Sequence, residues 1–332
     1  MYKYKTLKPE VISHYKETGH TPAQMSRIFK IPRKTIHDWI SEIKNEDVDK
    51  IIEDNKKYIK NEPFGTYRHG QNIESDLGLK RGGHLDLKLN SKGITKTVIL
   101  SDLHMPYNIE LKPVFDFISD FKPDHVILNG DVADLDCFSP HEMRSTLRPL
   151  PFSDQKNLCM ELINDLKRLY NSNITWIQGN HEDWSRQAVL RNPALEGLVE
   201  QHHWLPEHVN FIPLNHCAKL GKLRIIHGNC LRNESIVMPS RTILERWSDA
   251  NIIFGHFHKR EAYTKISEIN SEKRFAECSG CLCKVNPSYS RNSPSAVANG
   301  FCYVVSEPSG HYWSTLPMIH HGKFIAEGKV YE

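Results

Sequence analysis

The stretch TVILSDLH, residues 97–104, joins an apolar run to an aspartate and a histidine. An apolar, β-branched run of this length is typical of a buried strand, and titratable side chains are costly there unless they bind something. Four further stretches repeat the arrangement: HVILNGDVAD at 125–134, ITWIQGNHED at 174–183, LRIIHG at 223–228 and NIIFGHFH at 251–258. These five stretches determine the predicted fold.

Longer amphipathic stretches separate the first strands, among them KPVFDFISDF at 112–121 and QKNLCMELINDLKRLY at 155–170. This alternation predicts βαβ units, and therefore an α/β (α+β) fold whose first strands are parallel. Short runs near 261–266, 300–306 and 311–316 predict that the sheet becomes mixed toward the C-terminus. Because ligands of α/β sheets bind beyond the carboxyl ends of strands, we expect the five polar clusters to meet in one crevice.

The five clusters combine carboxylate, imidazole and amide groups. This mixture suits Mn²⁺, Fe or Zn²⁺ better than Mg²⁺ or Ca²⁺, which prefer oxygen ligands alone. Seven candidate ligands are too many for one tetrahedral metal, whereas two metals about 3.5–4 Å apart, bridged by a carboxylate, would use them all. One residue separates Asp102 from His104, and His256 from His258, so each pair can face the same side of an extended segment.

In this order, the five clusters resemble the signature of the calcineurin-like metallophosphoesterases over residues 95–320. The resemblance implies an αββα sandwich with two divalent metals, Mn²⁺ first, with Fe or Zn²⁺ as alternatives. It implies that one metal is held by Asp102, His104 and His258, that the other is held by Asn180, His227 and His256, and that Asp131 bridges them. It also puts His181 beside the substrate as a catalytic residue that Asp134 orients.

One position departs from the Ser/Thr phosphatase branch of that family. The branch follows its GDxxD block with Arg-Gly, whereas this chain has Leu135 and Asp136 there. The arginine that grips phosphate is therefore missing from its expected place, which leaves phosphodiesterases and nucleases open. The irregular stretch 137–155 offers His141, Arg144 and Arg148 as substrate contacts, although solvated surface arginines are the simpler interpretation.

Residues 8–44 divide into three helical pieces with apolar residues on one face of each. These apolar residues are Val11, Ile12 and Tyr15, then Met25, Ile28 and Phe29, then Ile36, Trp39 and Ile40. Pro22 suits the first position of the second helix. The pattern resembles the helix-turn-helix of transposase and terminase-type DNA-binding domains, which implies a DNA-binding face made of Arg33, Lys34, Thr35, His37 and Asp38. The alternative is a three-helix bundle used for oligomerisation or protein contact.

Composition and charge agree with a small basic module joined to a larger domain. The 332 residues carry a net charge of +3, and the basic excess lies in the first 60 residues. We expect a helix-turn-helix domain at 1–58, a linker or extension at 59–94 and a metallophosphoesterase domain at 95–332. No apolar run approaches 18 residues and the N-terminus lacks a signal segment, so we expect a cytoplasmic protein with no membrane partner. Cys278, Cys281 and Cys283 are expected to be buried free thiols rather than a zinc site.

These observations predict a two-metal-dependent phosphoester hydrolase, specifically a phosphodiesterase or nuclease that acts on DNA and is held there by the N-terminal helices. One alternative is a phosphatase or phosphodiesterase of small nucleotides or phosphoproteins. Another is a DNA-binding regulator whose phosphoesterase-like domain is a scaffold without activity. The intact set of candidate ligands disfavours the scaffold, because clustered buried polar groups cost free energy unless they are paired.

Overall fold

The structure is a computed structural model that describes residues 7–18, 22–40, 83–140, 149–170, 173–231, 236–247, 250–267, 271–284 and 297–332. Contacts between residues divide the chain into two units, Met1–Phe64 and Gly65–Glu332. The predicted boundaries at 58 and 94 remain predictions. No helix in these described ranges is long and apolar enough to cross a membrane, and the cytoplasmic location stays an expectation from the sequence.

Three helical segments form the described part of the first unit: α1 (Lys8–Thr18), α2 (Pro22–Phe29) and α3 (residues 33–40). The second helix begins at the proline that the sequence assigns to its first position. Val11, Met25, Ile36 and Ile40 form a buried cluster, as their spacing predicts. Ile28 is half exposed, contrary to expectation, and Ile31 from the turn after α2 joins the cluster instead. The helical period alone did not identify that turn residue as part of the core.

The second unit contains two six-stranded sheets. One has the order β12-β11-β2-β3-β4-β5, with β2 (Thr95–Leu100), β3 (His125–Asn129), β4 (Asn173–Ile177), β5 (Val209–Ile212), β11 (Cys302–Ser306) and β12 (Tyr312–Thr315). The other has the order β1-β6-β7-β8-β10-β9, with β1 (His84–Asp86), β6 (Cys217–Leu220), β7 (Leu223–Ile226), β8 (Asn251–Phe254), β9 (Arg260–Ile266) and β10 (Lys273–Ser279). A small hairpin joins β13 (Phe324–Ala326) to β14 (Lys329–Tyr331).

Strands β2 to β5 are parallel to one another, as are β7 and β8, whereas β9, β11 and β12 pair antiparallel with a neighbour. The predicted change to a mixed sheet is confirmed. Helices α4 (Lys112–Phe121), α5 (Phe152–Leu169), α6 (Asn180–Arg191), α7 (Gln201–Trp204) and α8 (Pro239–Arg246) connect or follow these strands, with short 3-10 turns at Asp136–Phe138 and Pro193–Leu195.

Alternate residues of each central strand pack into different layers. Ile99 and Ile127 from one sheet meet Ile225 and Ile253 from the other in a fully buried cluster between the sheets. On the outer face of the first sheet, residues such as Val98 pack against α4 and α5, and on the second sheet a separate cluster includes residues of α8. Because both faces of each central strand are covered, the strands read as continuous apolar runs. The predicted αββα sandwich is confirmed.

Candidate metal centre

The polar residues that follow the strands converge at one edge of the sandwich. Asp102 and His104 follow β2, and Asp131 follows β3. The remaining candidate ligands are Asn180 at the start of α6, His227 after β7, and His256 and His258 after β8. Asp102, His104, Asp131 and His227 are all almost completely buried. The parallel strands end side by side, which brings residues up to 156 positions apart in the sequence into one crevice.

The backbone at these strand ends is unusual. Five candidate ligands, namely Asp102, His104, Asp131, His256 and His258, have positive φ angles between 48° and 67°. Non-glycine residues rarely adopt this conformation, and it costs about 1–3 kcal/mol per residue, so its concentration here marks a functional site. A Cβ at Gly130 would collide with the ring of His227, and one at Gly179 would collide with the Asp131 carboxylate. Glycine at these two positions lets the loops approach one another.

One group of candidate ligands surrounds His104. Its Nε2 lies 3.1 Å from Nε2 of His258 and 3.8 Å from Oδ2 of Asp131. Nε2 of His258 lies 3.3 Å from Oδ1 of Asp102. Two imidazole nitrogens and two carboxylates thus point toward a shared position, which is the donor set expected of a divalent transition metal.

A second group surrounds His227. Its Nε2 lies 3.2 Å from Oδ2 of Asp131 and 3.0 Å from Oδ1 of Asn180. Asp131, His227 and His256 also offer ligand atoms that all lie within 4.8 Å of one another. Oδ2 of Asp131 therefore faces both groups, as a bridging carboxylate would.

The electrostatics of the crevice call for added positive charge. Burial alone would raise the pKa of Asp131, but His227 and His181 outweigh it and hold that pKa well below the usual range. Burial alone would lower the pKa of His227, but Asp131 raises it to about 10. Burial and then His227 lower the pKa of His256 to about 4, which keeps its imidazole neutral. The proton on His227 balances the negative charge of the nearby carboxylates. A bound metal cation would replace that proton and balance the same charge, because metals and protons compete for such ligands. The residues present therefore fit divalent cations.

A sequence model of the calcineurin-like phosphoesterases matches residues 95–279, more than half of the chain. The chain belongs to the calcineurin-like phosphoesterases. It is therefore a metal-dependent phosphoester hydrolase. A comparison with curated protein sequences gave no match.

Solved structures similar to this phosphoesterase include Vacuolar Protein Sorting 29 from Cryptosporidium parvum, at 14% identity and a TM-score of 0.38, covering 72% of this chain and 95% of that one. The same protein from Entamoeba histolytica, complexed with zinc, has 13% identity and a TM-score of 0.37, covering 71% and 96%. A predicted phosphoesterase from Streptococcus pneumoniae has 13% identity and a TM-score of 0.29, covering 64% and 84%.

Hydrogen bonds to the Nδ1 atoms, on the side away from the crevice, orient two histidine rings of the phosphoesterase centre. Nδ1 of His227 donates to the backbone oxygen of Asn129 at 3.0 Å, which leaves Nε2 facing the crevice, where replacement of its proton would free a lone pair for a metal. Nδ1 of His104 lies 2.8 Å from Oδ1 of Asp134. The sequence assigned Asp134 to His181, and in the structure its carboxylate is closer to His104 than to His181.

His181 lies at the mouth of the crevice with a side chain that is 17% exposed. Its Nδ1 donates to the backbone oxygen of Asp134 at 2.6 Å and lies 3.5 Å from that residue's carboxylate. The ring meets His104 edge-on at 4.5 Å and lies 3.9 Å from the ring of Trp184, between ring centres. Nδ1 is thus occupied, and Nε2 is the atom of His181 available to a substrate.

Glu182 is a buried residue whose role the sequence did not reveal. Its Oε2 accepts hydrogen bonds from the backbone N–H groups of Gly179 at 2.8 Å and Asp131 at 2.9 Å. Its Oε1 accepts hydrogen bonds from those of Val132 at 2.6 Å and Ala133 at 3.1 Å. Burial and then Asp131 raise the pKa of Glu182 to about 7. The available signal was its position as the third residue of α6, from which a glutamate can bond back to the N-terminus of its helix.

The three clustered cysteines are buried and free, as expected. Sγ of Cys283 lies 3.6 Å from Nδ1 of His258, so this thiol contacts a candidate ligand. Arg144 and Arg148, like His141, lie outside the described residues. The predicted DNA-binding residues Arg33, Lys34, Thr35 and His37 belong to the first unit.

Proposed function

We propose that this phosphoesterase hydrolyses phosphodiester bonds of DNA, with two divalent cations, Mn²⁺ first, held by the seven candidate ligands. The proposal rests mainly on the position of Asp131 between the ligand group around His227 and the one around His104. Its Oδ2 lies 3.2 Å from Nε2 of His227 and 3.8 Å from Nε2 of His104. Two cations at such a site stabilise both the attacking and the leaving oxygen of an in-line displacement.

His181 is proposed to transfer a proton to the leaving oxygen. Its Nδ1 hydrogen is engaged by the backbone of Asp134, so a second proton on the ring would lie on Nε2, at the exposed mouth of the crevice. General acids of this kind contribute about 10²–10⁴-fold in rate. Asp134 supports both His181 and His104 and thereby keeps the acid next to the candidate ligands.

The surroundings of Asp136 support a diester rather than a monoester substrate. At the position where the Ser/Thr phosphatase branch has its arginine, this chain has Leu135, which is fully buried. The next residue, Asp136, has a carboxylate that accepts hydrogen bonds from Tyr107 and Gln155. A monoester brings about two negative charges to the site, whereas a diester brings one. Fewer positive groups beside the metals therefore favour the diester.

The first unit supports DNA as the source of that diester. On α3, Arg33, Lys34 and His37 are exposed, whereas Ile36 and Ile40 are buried against the other helices. A basic helical face opposite an apolar one is what entry into the major groove requires. Binding there would raise the local concentration of phosphodiesters at the phosphoesterase centre.

The proposal is tested by incubating the protein with Mn²⁺ and end-labelled single- and double-stranded DNA, beside bis-p-nitrophenyl phosphate and p-nitrophenyl phosphate. We expect cutting of DNA that His181→Ala slows by about 10²–10⁴-fold, and weaker retention of DNA by the double variant Arg33→Ala/Lys34→Ala. Hydrolysis of p-nitrophenyl phosphate alone would overturn the diester assignment and favour a phosphatase. Diester hydrolysis with no cutting or retention of DNA would overturn the choice of DNA.

A further inference from the structure

A second polar site lies at the opposite end of the sandwich from the metal centre. A cleft of about 590 Å³ is lined by residues at the start of β7, β8 and β10 and by the turn before β7. The candidate ligands His227 and His256 follow the other ends of β7 and β8. Four strand residues at about 3.3 Å each separate the two ends by roughly 13 Å. The cleft therefore shares no residue with the metal centre, and its volume lies in the usual range of small-ligand sites.

The cleft is rich in cations. Lys222, Arg224, Lys273 and Arg274 line it, and among the described residues its lining has one acidic side chain, that of Glu272, which lies 2.5 Å from Arg274. Among the described residues, no carboxylate lies within ion-pair distance of Lys222, Arg224 or Lys273. Nζ of Lys222 instead lies 3.2 Å from a ring nitrogen of a histidine. Three positive charges in one cleft favour a ligand with more than one negative charge.

Part of the cleft lining is aromatic. Phe275 and Tyr312 both line the cleft, and their rings meet edge-on with 5.9 Å between centres. Both side chains are half-buried, so part of each ring faces the cleft. A cleft that offers flat apolar surface as well as guanidinium and ammonium groups can hold a base and its phosphates together.

We propose that this cleft binds nucleotide phosphates with the attached base against the aromatic part of its lining. The same chemistry is offered by a free nucleoside triphosphate and by a nucleic acid strand. Arg224 and Lys273 are the principal phosphate contacts, because neither is paired with a carboxylate in the described structure. Binding here does not depend on the DNA hydrolysis proposed for the metal centre, since the two sites have separate residues.

The test uses the full-length double variant Arg224→Gln/Lys273→Gln. The matched control is Lys112→Gln/Lys329→Gln, which removes the same charge from residues that pair with Asp116 and Asp120 outside the cleft. Binding of fluorescent ATP and of labelled oligothymidine is measured by anisotropy in excess chelator, where the metal centre does not turn over. Circular dichroism and the melting temperature establish that each variant is folded.

We expect the cleft variant to raise the Kd by roughly tenfold or more for each lost phosphate contact, and the control to leave it unchanged. Tight binding of ATP identifies free nucleotide as the ligand, whereas binding of oligothymidine alone identifies a strand. For the strand arm, all variants also carry Arg33→Ala/Lys34→Ala, which separates the cleft from the first unit. Equal affinity in the cleft variant and the control, or no binding of either probe, would overturn the proposal.

Discussion

The substitution Glu182→Gln tests how much one buried carboxylate contributes to the metal centre. Each carboxylate oxygen of Glu182 accepts two backbone N–H groups from the loops that carry Asp131 and Asn180. Glutamine has nearly the same shape but one oxygen, so in either orientation its NH₂ group faces two N–H donors. Two buried donors then lose their acceptor, at about 1–3 kcal/mol each.

The two lost acceptors remove about 2–6 kcal/mol of unfolding free energy. Because burial raises the pKa of Glu182 to about 7, ionising this carboxylate at pH 8 already costs the parent about 3 kcal/mol, so the net loss is at most about 3 kcal/mol, a fall in melting temperature of up to about 10 °C. Because Asp131 is one of the residues held by Glu182, we also expect weaker metal binding and lower activity per folded molecule. The melting temperature is measured by circular dichroism at pH 8, where Glu182, whose pKa is raised to about 7, is ionised.

The matched control is Glu245→Gln, which changes an exposed glutamate paired with Arg241 and is expected to leave the melting temperature, metal binding and activity unchanged. Metal content is determined by elemental analysis of the folded protein, and activity with bis-p-nitrophenyl phosphate. A Glu182→Gln variant with the stability, metal content and activity of the parent would refute the reasoning, because the hydrogen bonds from Glu182 would then not be needed to hold Asp131 in place.

Three further predictions concern the same domain. His181→Ala should lower phosphodiesterase activity about 10²–10⁴-fold while metal content, by elemental analysis, stays unchanged, because the ring acts on the substrate. Adding Mn²⁺ to chelator-treated protein should raise its melting temperature, since a free metal concentration of 100 Kd stabilises the fold by about 2.7 kcal/mol. Glu277→Gln should melt above the parent at pH 8 but not near pH 4. Burial raises the pKa of Glu277, so ionisation destabilises the fold only as pH rises above the unfolded value.

Each of these has a contrary result. Loss of metal together with activity in the His181→Ala variant would make His181 a ligand. A melting temperature indifferent to both chelator and metal would contradict the interpretation of the buried histidine and carboxylate cluster. A Glu277→Gln variant that is less stable at pH 8 would mean that the hydrogen bond from Ser314 to this carboxylate outweighs the cost of burying its charge.

The sequence predicts the layered sandwich because the burial of each strand can be inferred from the residues of that strand alone. Runs such as Val98 to Leu100 are buried on both faces of their strand, and a continuous apolar run reports that directly. The convergence of the polar residues at the strand ends was equally predictable, since the carboxyl ends of neighbouring parallel strands lie at one edge of the sheet. The helix-turn-helix and the DNA-binding residues remain predictions.

Contacts between distant segments were decided by the tertiary structure alone. Glu182 lies 50 residues from Val132, and no periodicity relates a helix start to a loop after another strand. Asp134 meets His104 across 30 residues, although the sequence had assigned it to His181. Arg224 and Lys273 line one cleft because β7 and β10 flank β8. Patterns of burial are encoded along the chain, whereas the partner of a buried charge depends on which strands become neighbours.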